Sequence, residues 1–254
     1  MPGQTVAGTD PAPARASGTG HAAPYVEYEV FTDWGIRALA TTRTAGSFGT
    51  ASDEPVADVL GRWDALQAHA AAAGVDRFAT ARQVHGAHVL THEPGWRGWL
   101  RGPAADGHFA MKRGTASAVT VADCVPVYLA HPSGATALLH SGWRGTVAGI
   151  LERAVHLLAG AGRRAADLRV LLGPSICGAC YEVSPDVYAQ LTGRAVDRPT
   201  PVDLRAVIAG HARALGIRAV FATDACTRCD NTGYYSHRAG DPGRQLGVLF
   251  APPA

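Results

Sequence analysis

The stretch "SAVTVADCVPVYLAHPSGATALLH", residues 117–140, limits the folds open to this chain more than any other segment. Apolar residues fill it almost without alternation, and only "ADC" and "HPSG" interrupt them. A strand with one wet face alternates apolar and polar residues, whereas a strand covered on both faces reads as a continuous apolar run. The segment therefore predicts two or three buried strands, with "HPSG" as a turn. Pro126 lacks an N–H and argues against one uninterrupted central strand through it.

Strands buried on both faces need layers to cover them, and the flanking sequence offers helices. "VADVLGRWDALQAHAAAAG" reads as helical, with Val56, Val59, Leu60, Trp63 and Leu66 on one stripe. Ser52 or Asp53 is its candidate cap and Gly74 its stop. "TVAGILERAVHLLAG" predicts one helix closed by Gly160, and "DLRAVIAGHARALG" another. "SPDVYAQLTG" begins with Ser184 as cap and Pro185 at the first helical position, and stops at Gly193. "YVEYEV", "IRALATT", "LRVLLGPS", "IRAVFATDAC" and "QLGVLF" read as further strands. No internal repeat is visible. The alternation predicts an α/β (α+β) domain with helices on the sheet faces.

Lys and Arg number 23 against 21 Asp and Glu, so no basic excess points to nucleic acid. No apolar run approaches the roughly 18 residues that a membrane span needs. Residues 1–24, "MPGQTVAGTDPAPARASGTGHAAP", are rich in Gly, Pro, Ala, Ser and Thr. They predict a disordered leader, with the domain running over residues 25–254. The leader lacks the apolar core of a signal peptide, which points to the cytoplasm. In that compartment the five cysteines are expected as thiols, metal ligands or nucleophiles rather than disulfides.

The junction "ALLHSGWRGTVAGI" places His140 and Arg144 among glycines where a strand run meets a helix. Free amides at such a helix start, with Arg144 beside them, would suit a phosphate or carboxylate. The plain alternative is a tight turn holding a satisfied histidine and a surface arginine. His85 in "ARQVHGAHV" and Cys124 in "TVADCVPVY" also lie near the ends of apolar segments. If the three converge, two imidazoles and a thiolate make a zinc site with a vacant fourth position. That vacancy is the catalytic pattern, because bound water there is acidified toward neutrality.

Together, "RQVHG", "TVADCVPV", "LLHSGWRGTVAGI", "LGPSICGACYEV", "CTRCDNTGYYSHR" and "GRQLGVLF" resemble the YfiH/laccase-domain family, often labelled polyphenol oxidase. The resemblance runs from about Thr41 to Phe250. It implies a single-domain α/β/β/α layered sandwich and a zinc-type site on His85, Cys124 and His140. It also implies phosphorolysis of adenosine, inosine, guanosine or methylthioadenosine, with adenosine deamination. Asp123, Cys124 and His140 are then the catalytic candidates. Asp123 would either shuttle a proton or hydrogen-bond the backbone. Arg43, Arg144, Tyr181 and Arg238 are the candidates for holding phosphate and nucleoside. "TTRTAGSFGTASDEP" departs from the family's double-glycine form in its early motif. Copper is a weaker expectation than zinc, since no Cys here is followed by His and no His-x-His pair occurs.

The same residues admit two other readings. Cys124 could be the nucleophile of a hydrolase or amidase that edits peptidoglycan precursors, with His140 or His85 as its base. Alternatively, the chain binds a metal without catalysis. The pairs Cys177/Cys180 and Cys226/Cys229 suggest four-thiolate zinc, but residues 181–225 separate them, far beyond the usual ribbon spacing. Buried free thiols are the expectation there.

Overall fold

The buried stretch does form three strands, but they belong to two different sheets. In the computed structural model, which describes residues 11–17, 22–51 and 53–254, Thr115–Val121 lies in one sheet. Val125–Ala130 and Thr136–Ser141 lie in the other. The chain crosses between the sheets at residues 122–124. This resolves the Pro126 question: the strand starts at Val125, so Pro126 occupies its second position and no strand runs through the break.

The first sheet has the spatial order Ala12–Pro13, Ala219–Ala222, Arg169–Leu172, Val125–Ala130, Thr136–Ser141, Gly107–Ala110, Val89–His92. Its two ends are parallel and its centre antiparallel. The second sheet runs Ala16–Ser17, Tyr25–Tyr28, Arg37–Thr41, Gln245–Phe250, Thr115–Val121, Arg77–Arg82, Gly98–Ala104. Helix α1 (Val56–Ala72) covers the outer face of the second sheet, packing Val59 and Trp63 on Phe78, Val248 and Phe250. A short α2 (Trp143–Val147) leads into α3 (Ile150–Gly160). With α4 (Pro185–Thr192) and α5 (Leu204–Ala214), α3 covers the outer face of the first sheet. The order of layers is α/β/β/α, as expected.

Side-chain parity builds these layers. Val125, Val127 and Leu129 point to the helices, while Tyr128 and Ala130 point to the other sheet. Leu246, Val248 and Phe250 face α1, and Leu249 faces the inter-sheet layer. Period-two alternation thus persists, but both sets are apolar because both faces are covered. Between the sheets, the Tyr128 hydroxyl donates to the Leu39 carbonyl at 2.8 Å. Gly247 permits the close approach there. A Cβ on it would stand 2.8 Å from Pro126 Cβ and 2.9 Å from the Tyr128 hydroxyl.

Four local expectations need correction. Residues 11–17, assigned to a disordered leader, place Ala12–Pro13 on the edge of the first sheet and Ala16–Ser17 on the edge of the second. Unpaired edge strands accept such additions through backbone hydrogen bonds, whatever the side chains are. Residues 22–24 of that expectation are also placed, with the Ala23 and Pro24 carbonyls accepting from Thr42, while residues 1–10 and 18–21 lie outside the described residues, as does Ser52. The cap position of α1 is Pro55, with no side-chain hydrogen bond, and Val56 and Leu60 of the predicted stripe are exposed. The helix predicted over residues 146–160 is two helices, because Gly149 adopts a left-handed φ of 78° between them.

The inter-sheet packing makes Gly247→Val an overpacking substitution. It is expected to lower unfolding free energy by about 1–3 kcal/mol, read as a lower urea midpoint at unchanged slope.

Candidate functional site

Three crossings between the sheets occur at one end of the sandwich. Residues 83–88 join Arg77–Arg82 of the second sheet to Val89–His92 of the first and carry His85. Residues 105–106 join Gly98–Ala104 to Gly107–Ala110 and carry Asp106. Residues 122–124 join Thr115–Val121 to Val125–Ala130 and carry Cys124. His140, near the end of Thr136–Ser141, completes the group. The ligand atoms of His85, Cys124 and His140 all lie within 4.8 Å of one another.

Asp106 organises this end of the molecule. Its fully buried carboxylate accepts hydrogen bonds from the amides of Val84, His85 and Gly86 at 3.1, 2.9 and 2.7 Å. It also accepts Nδ1–H of His140 at 2.8 Å. Burial alone would raise its pKa. The His140 hydrogen bond and the loop amides outweigh burial and hold it below the usual carboxylate range. One residue thus shapes the loop of His85, which sits at a left-handed φ of 59°, and fixes the tautomer of His140. With Nδ1 committed, Nε2 of His140 is the nitrogen left for an ion, the carboxylate–histidine–metal arrangement. Sequence reading missed Asp106, because "AADGHF" looks like any Asp-Gly turn.

Burial would raise the pKa of the Cys124 thiol, but His140 and His85 beside it pull it down to about 6. Burial would depress His140, but the Cys124 charge and Asp106 lift it to about 9. These shifts favour thiolate and imidazolium side by side, and a divalent cation held there would take the place of the imidazolium proton. His85 is exposed, Cys124 half-buried and His140 buried, so the cluster opens to solvent on the His85 side. Gly142 allows this proximity: a Cβ on it would lie 2.8 Å from Cys124 Sγ and 3.5 Å from the His85 ring. The donors fit a zinc-type ion: two imidazoles, one thiolate and an open side.

Around the cluster the expected residues fall into two groups. Asp123, at a left-handed φ of 82°, engages both of its oxygens. The Thr227 hydroxyl donates to one at 2.6 Å and the Arg238 amide to the other at 2.7 Å. The guanidinium of Arg238 lies 5.2 Å from the Tyr181 ring centre and donates to the Glu182 carbonyl. Burial raises Tyr181 to about 12, with the Cys124 charge adding to this and Arg238 and Arg144 opposing it. Tyr181, Arg238, Arg144 and Cys124 thus share one electrostatic neighbourhood. Arg144 itself is exposed and stacks on Trp143 at 4.3 Å. The helix at whose start an anion pocket was expected, α2, has only five residues. Arg43 bonds Asp241 at 2.7 Å and lies over Tyr235 at 4.3 Å, and its described side-chain contacts are with residues 234–241 rather than with the cluster. Thr227, fully buried, is a second residue that sequence reading missed.

The thiolate–imidazolium pair predicts a pH signature. In chelator-treated protein, alkylation of Cys124 should rise to half its maximal rate near pH 6, since the thiol is protonated below that value. In His140→Ala the midpoint should move up toward about 8.5, followed by mass spectrometry of the Cys124 peptide.

A family model described as multi-copper polyphenol oxidoreductase laccase matches residues 44–251. The chain is 34% identical over 234 residues to a purine nucleoside phosphorylase of Streptomyces coelicolor, covering 87% of this chain and 93% of that one. It is 34% identical over 214 residues to a purine nucleoside phosphorylase of Deinococcus radiodurans, covering 78% of each. Among solved structures, YlmD from Geobacillus stearothermophilus matches with a TM-score of 0.81 at 26% identity, covering 91% of this chain and 97% of that one. YfiH from Bacillus licheniformis shares the fold, with a TM-score of 0.79 at 22% identity and coverage of 90% and 97%. The matched region includes the three crossings and the whole donor cluster, and the chain belongs to the multi-copper polyphenol oxidoreductase laccase family, with YfiH and YlmD as structural neighbours.

Proposed function

We propose that this chain is a zinc-dependent purine nucleoside phosphorylase acting on adenosine, inosine, guanosine or methylthioadenosine, with adenosine deamination at the same centre. The carrying observation is the meeting of His85, Cys124 and His140, braced by Asp106, in the neighbourhood of Tyr181 and Arg238. Relatives that cover most of the chain and are named purine nucleoside phosphorylase support the substrate class. A zinc-type ion held by these three residues would supply Lewis acidity and positive charge at the reacting atoms.

The remaining work falls to the chain's own groups. In phosphorolysis a phosphate oxygen bonds to the anomeric carbon as the bond to the purine nitrogen breaks, and the base departs with a proton. Arg238 and Arg144 supply cationic donors for the phosphate. Asp123 holds the Arg238 backbone and Thr227 in place, which is a positioning role. Tyr181 keeps its proton at neutral pH, so its hydroxyl can donate to the departing base and its ring can face the purine. Arg43, bound to Asp241, supports the adjoining loop and is assigned no contact with phosphate here. The label of the family does not extend to its chemistry in this reading. Among the described residues, only two groups of three or more candidate ligands occur, and neither provides the several imidazoles of a multicopper centre.

One observation favours a second reading. Cys124, His140 and Asp106 are ordered as nucleophile, base and orienting carboxylate, and the thiol is acidified. A hydrolase or amidase acting on peptidoglycan precursors would use that order. It leaves His85 without a task, whereas a metal centre uses both imidazoles.

Product analysis with and without phosphate separates the readings. Free base and ribose 1-phosphate should appear only with phosphate, and inosine from adenosine would report deamination. Asp106→Asn should lower metal affinity or activity by about 10–100-fold. Arg238→Ala should raise the KM for phosphate by roughly tenfold or more, the loss of one charge-assisted hydrogen bond. A metal-free protein that cleaves amides and stops on alkylation of Cys124 would overturn the proposal in favour of the hydrolase.

A further inference from the structure

The two CxxC pairs lie outside the centre described above. We propose that Cys177, Cys180, Cys226 and Cys229 form a second, structural zinc-type site that staples together the loops bearing Tyr181 and Thr227. The four sulfurs lie within 4.8 Å of one another. Cys180 and Cys229 are 3.4 Å apart, and Cys177 and Cys229 are 4.0 Å apart. Zinc–sulfur bonds of about 2.3 Å set tetrahedral sulfur separations of about 3.8 Å, a value that these distances bracket. The burial expected of these thiols does not hold: Cys229 is exposed, and of the four only Cys226 is buried. Apolar packing gives no reason to gather four sulfurs at an exposed edge.

Topology removes the objection raised by the long spacing. Strands Arg169–Leu172 and Ala219–Ala222 are adjacent and parallel, so a crossover must separate them in sequence. That crossover is residues 173–218, and its helices α4 and α5 lie between the two cysteine pairs. Beyond the strands the parallel pairing continues as a bridge between Ser175 and Cys226, with the Thr227 amide donating to the Ser175 carbonyl at 3.2 Å. Each strand end then turns into one CxxC loop. The amides of Cys177 and Cys229 donate to the Cys226 sulfur at 3.2 and 3.4 Å, which favours the thiolate that a metal requires. Arg228 donates to the Cys180 carbonyl at 3.2 Å, linking the two loops and placing a cation beside a site of net negative charge. Gly178 lets its loop seat on the start of α5, since a Cβ there would stand 3.0 Å from Asp203 Cβ.

Four sulfurs close the coordination sphere, which makes the site structural rather than catalytic. Its consequence for the neighbouring centre is positional. Tyr181 follows Cys180 directly, and Thr227 follows Cys226 and donates to Asp123.

The test uses the full chain with the first centre disabled by Cys124→Ala, so that all four cysteines remain. Metal quantification and titration with cobalt(II) should find one ion per chain, with sulfur-to-cobalt charge-transfer absorption saturating at one equivalent. Wild-type protein should bind two ions. Adding Cys177→Ser and Cys229→Ser should abolish the remaining ion, and zinc should raise the thermal midpoint of the stripped Cys124→Ala chain. The proposal is overturned if folded Cys124→Ala protein binds no stoichiometric cobalt, or if peptide mapping finds a disulfide among the four. If Cys124→Ala and wild type each carry one ion with the cobalt–sulfur signature, this site stands and the three-ligand zinc centre fails instead.

Discussion

The buried carboxylate of Asp106 is the constraint on which the functional end of the molecule depends. An isolated carboxylate taken out of water is costly, and it is tolerated here because three loop amides and an imidazole N–H satisfy it. Each of those bonds also has a structural consequence. The amides shape the 84–86 turn that presents His85, and the imidazole bond orients His140. Removing the charge would loosen two of the three candidate ligands together, although Asp106 itself is not one of them.

The architecture explains why these groups meet. A two-sheet sandwich has its interior filled by alternate apolar side chains, which leaves no room for polar chemistry between the layers. Chemistry therefore belongs at the rims, where the chain passes from one sheet to the other. Three such passages at one end carry His85, Asp106 and Cys124. The backbone bends sharply there, and two of the residues, His85 and Asp123, take left-handed conformations that side chains other than glycine rarely adopt. Strain of this kind persists where surrounding hydrogen bonds over-determine it, and both loops have such bonds.

Two clusters of ligand chemistry then sit on connected loops with different logic. The centre of His85, Cys124 and His140 opens to solvent and is flanked by Arg238 and Tyr181. The four cysteines surround a common point from loops that continue two parallel strands. Asp123 joins the two regions: its carbonyl accepts the Ile176 amide, and its carboxylate accepts from Thr227 and Arg238. A metal held by the cysteine loops would thus restrain, through Asp123, the residues proposed to meet phosphate.

Much of this was legible in the amino-acid order. The apolar runs of residues 117–140 announced doubly covered strands, and Pro185 and Gly193 marked helix ends that depend on short-range backbone chemistry. The motifs around His85, Cys124 and His140 pointed to one centre. Other features were invisible because they depend on contacts between distant residues. Asp106 looks like an ordinary turn residue until four donors converge on it. The CxxC pairs look too far apart until a parallel crossover returns the chain to its neighbour. Arg43, Arg144 and Arg238 read alike as phosphate candidates in sequence, and only the packing shows that Arg43 bonds Asp241 and Arg144 lies against Trp143. Local sequence determined the elements and their covered faces, because periodicity and capping act within a few residues. Tertiary structure alone decided which loops share a rim, because that is set by the order of strands in two sheets and by the points where the chain changes layer.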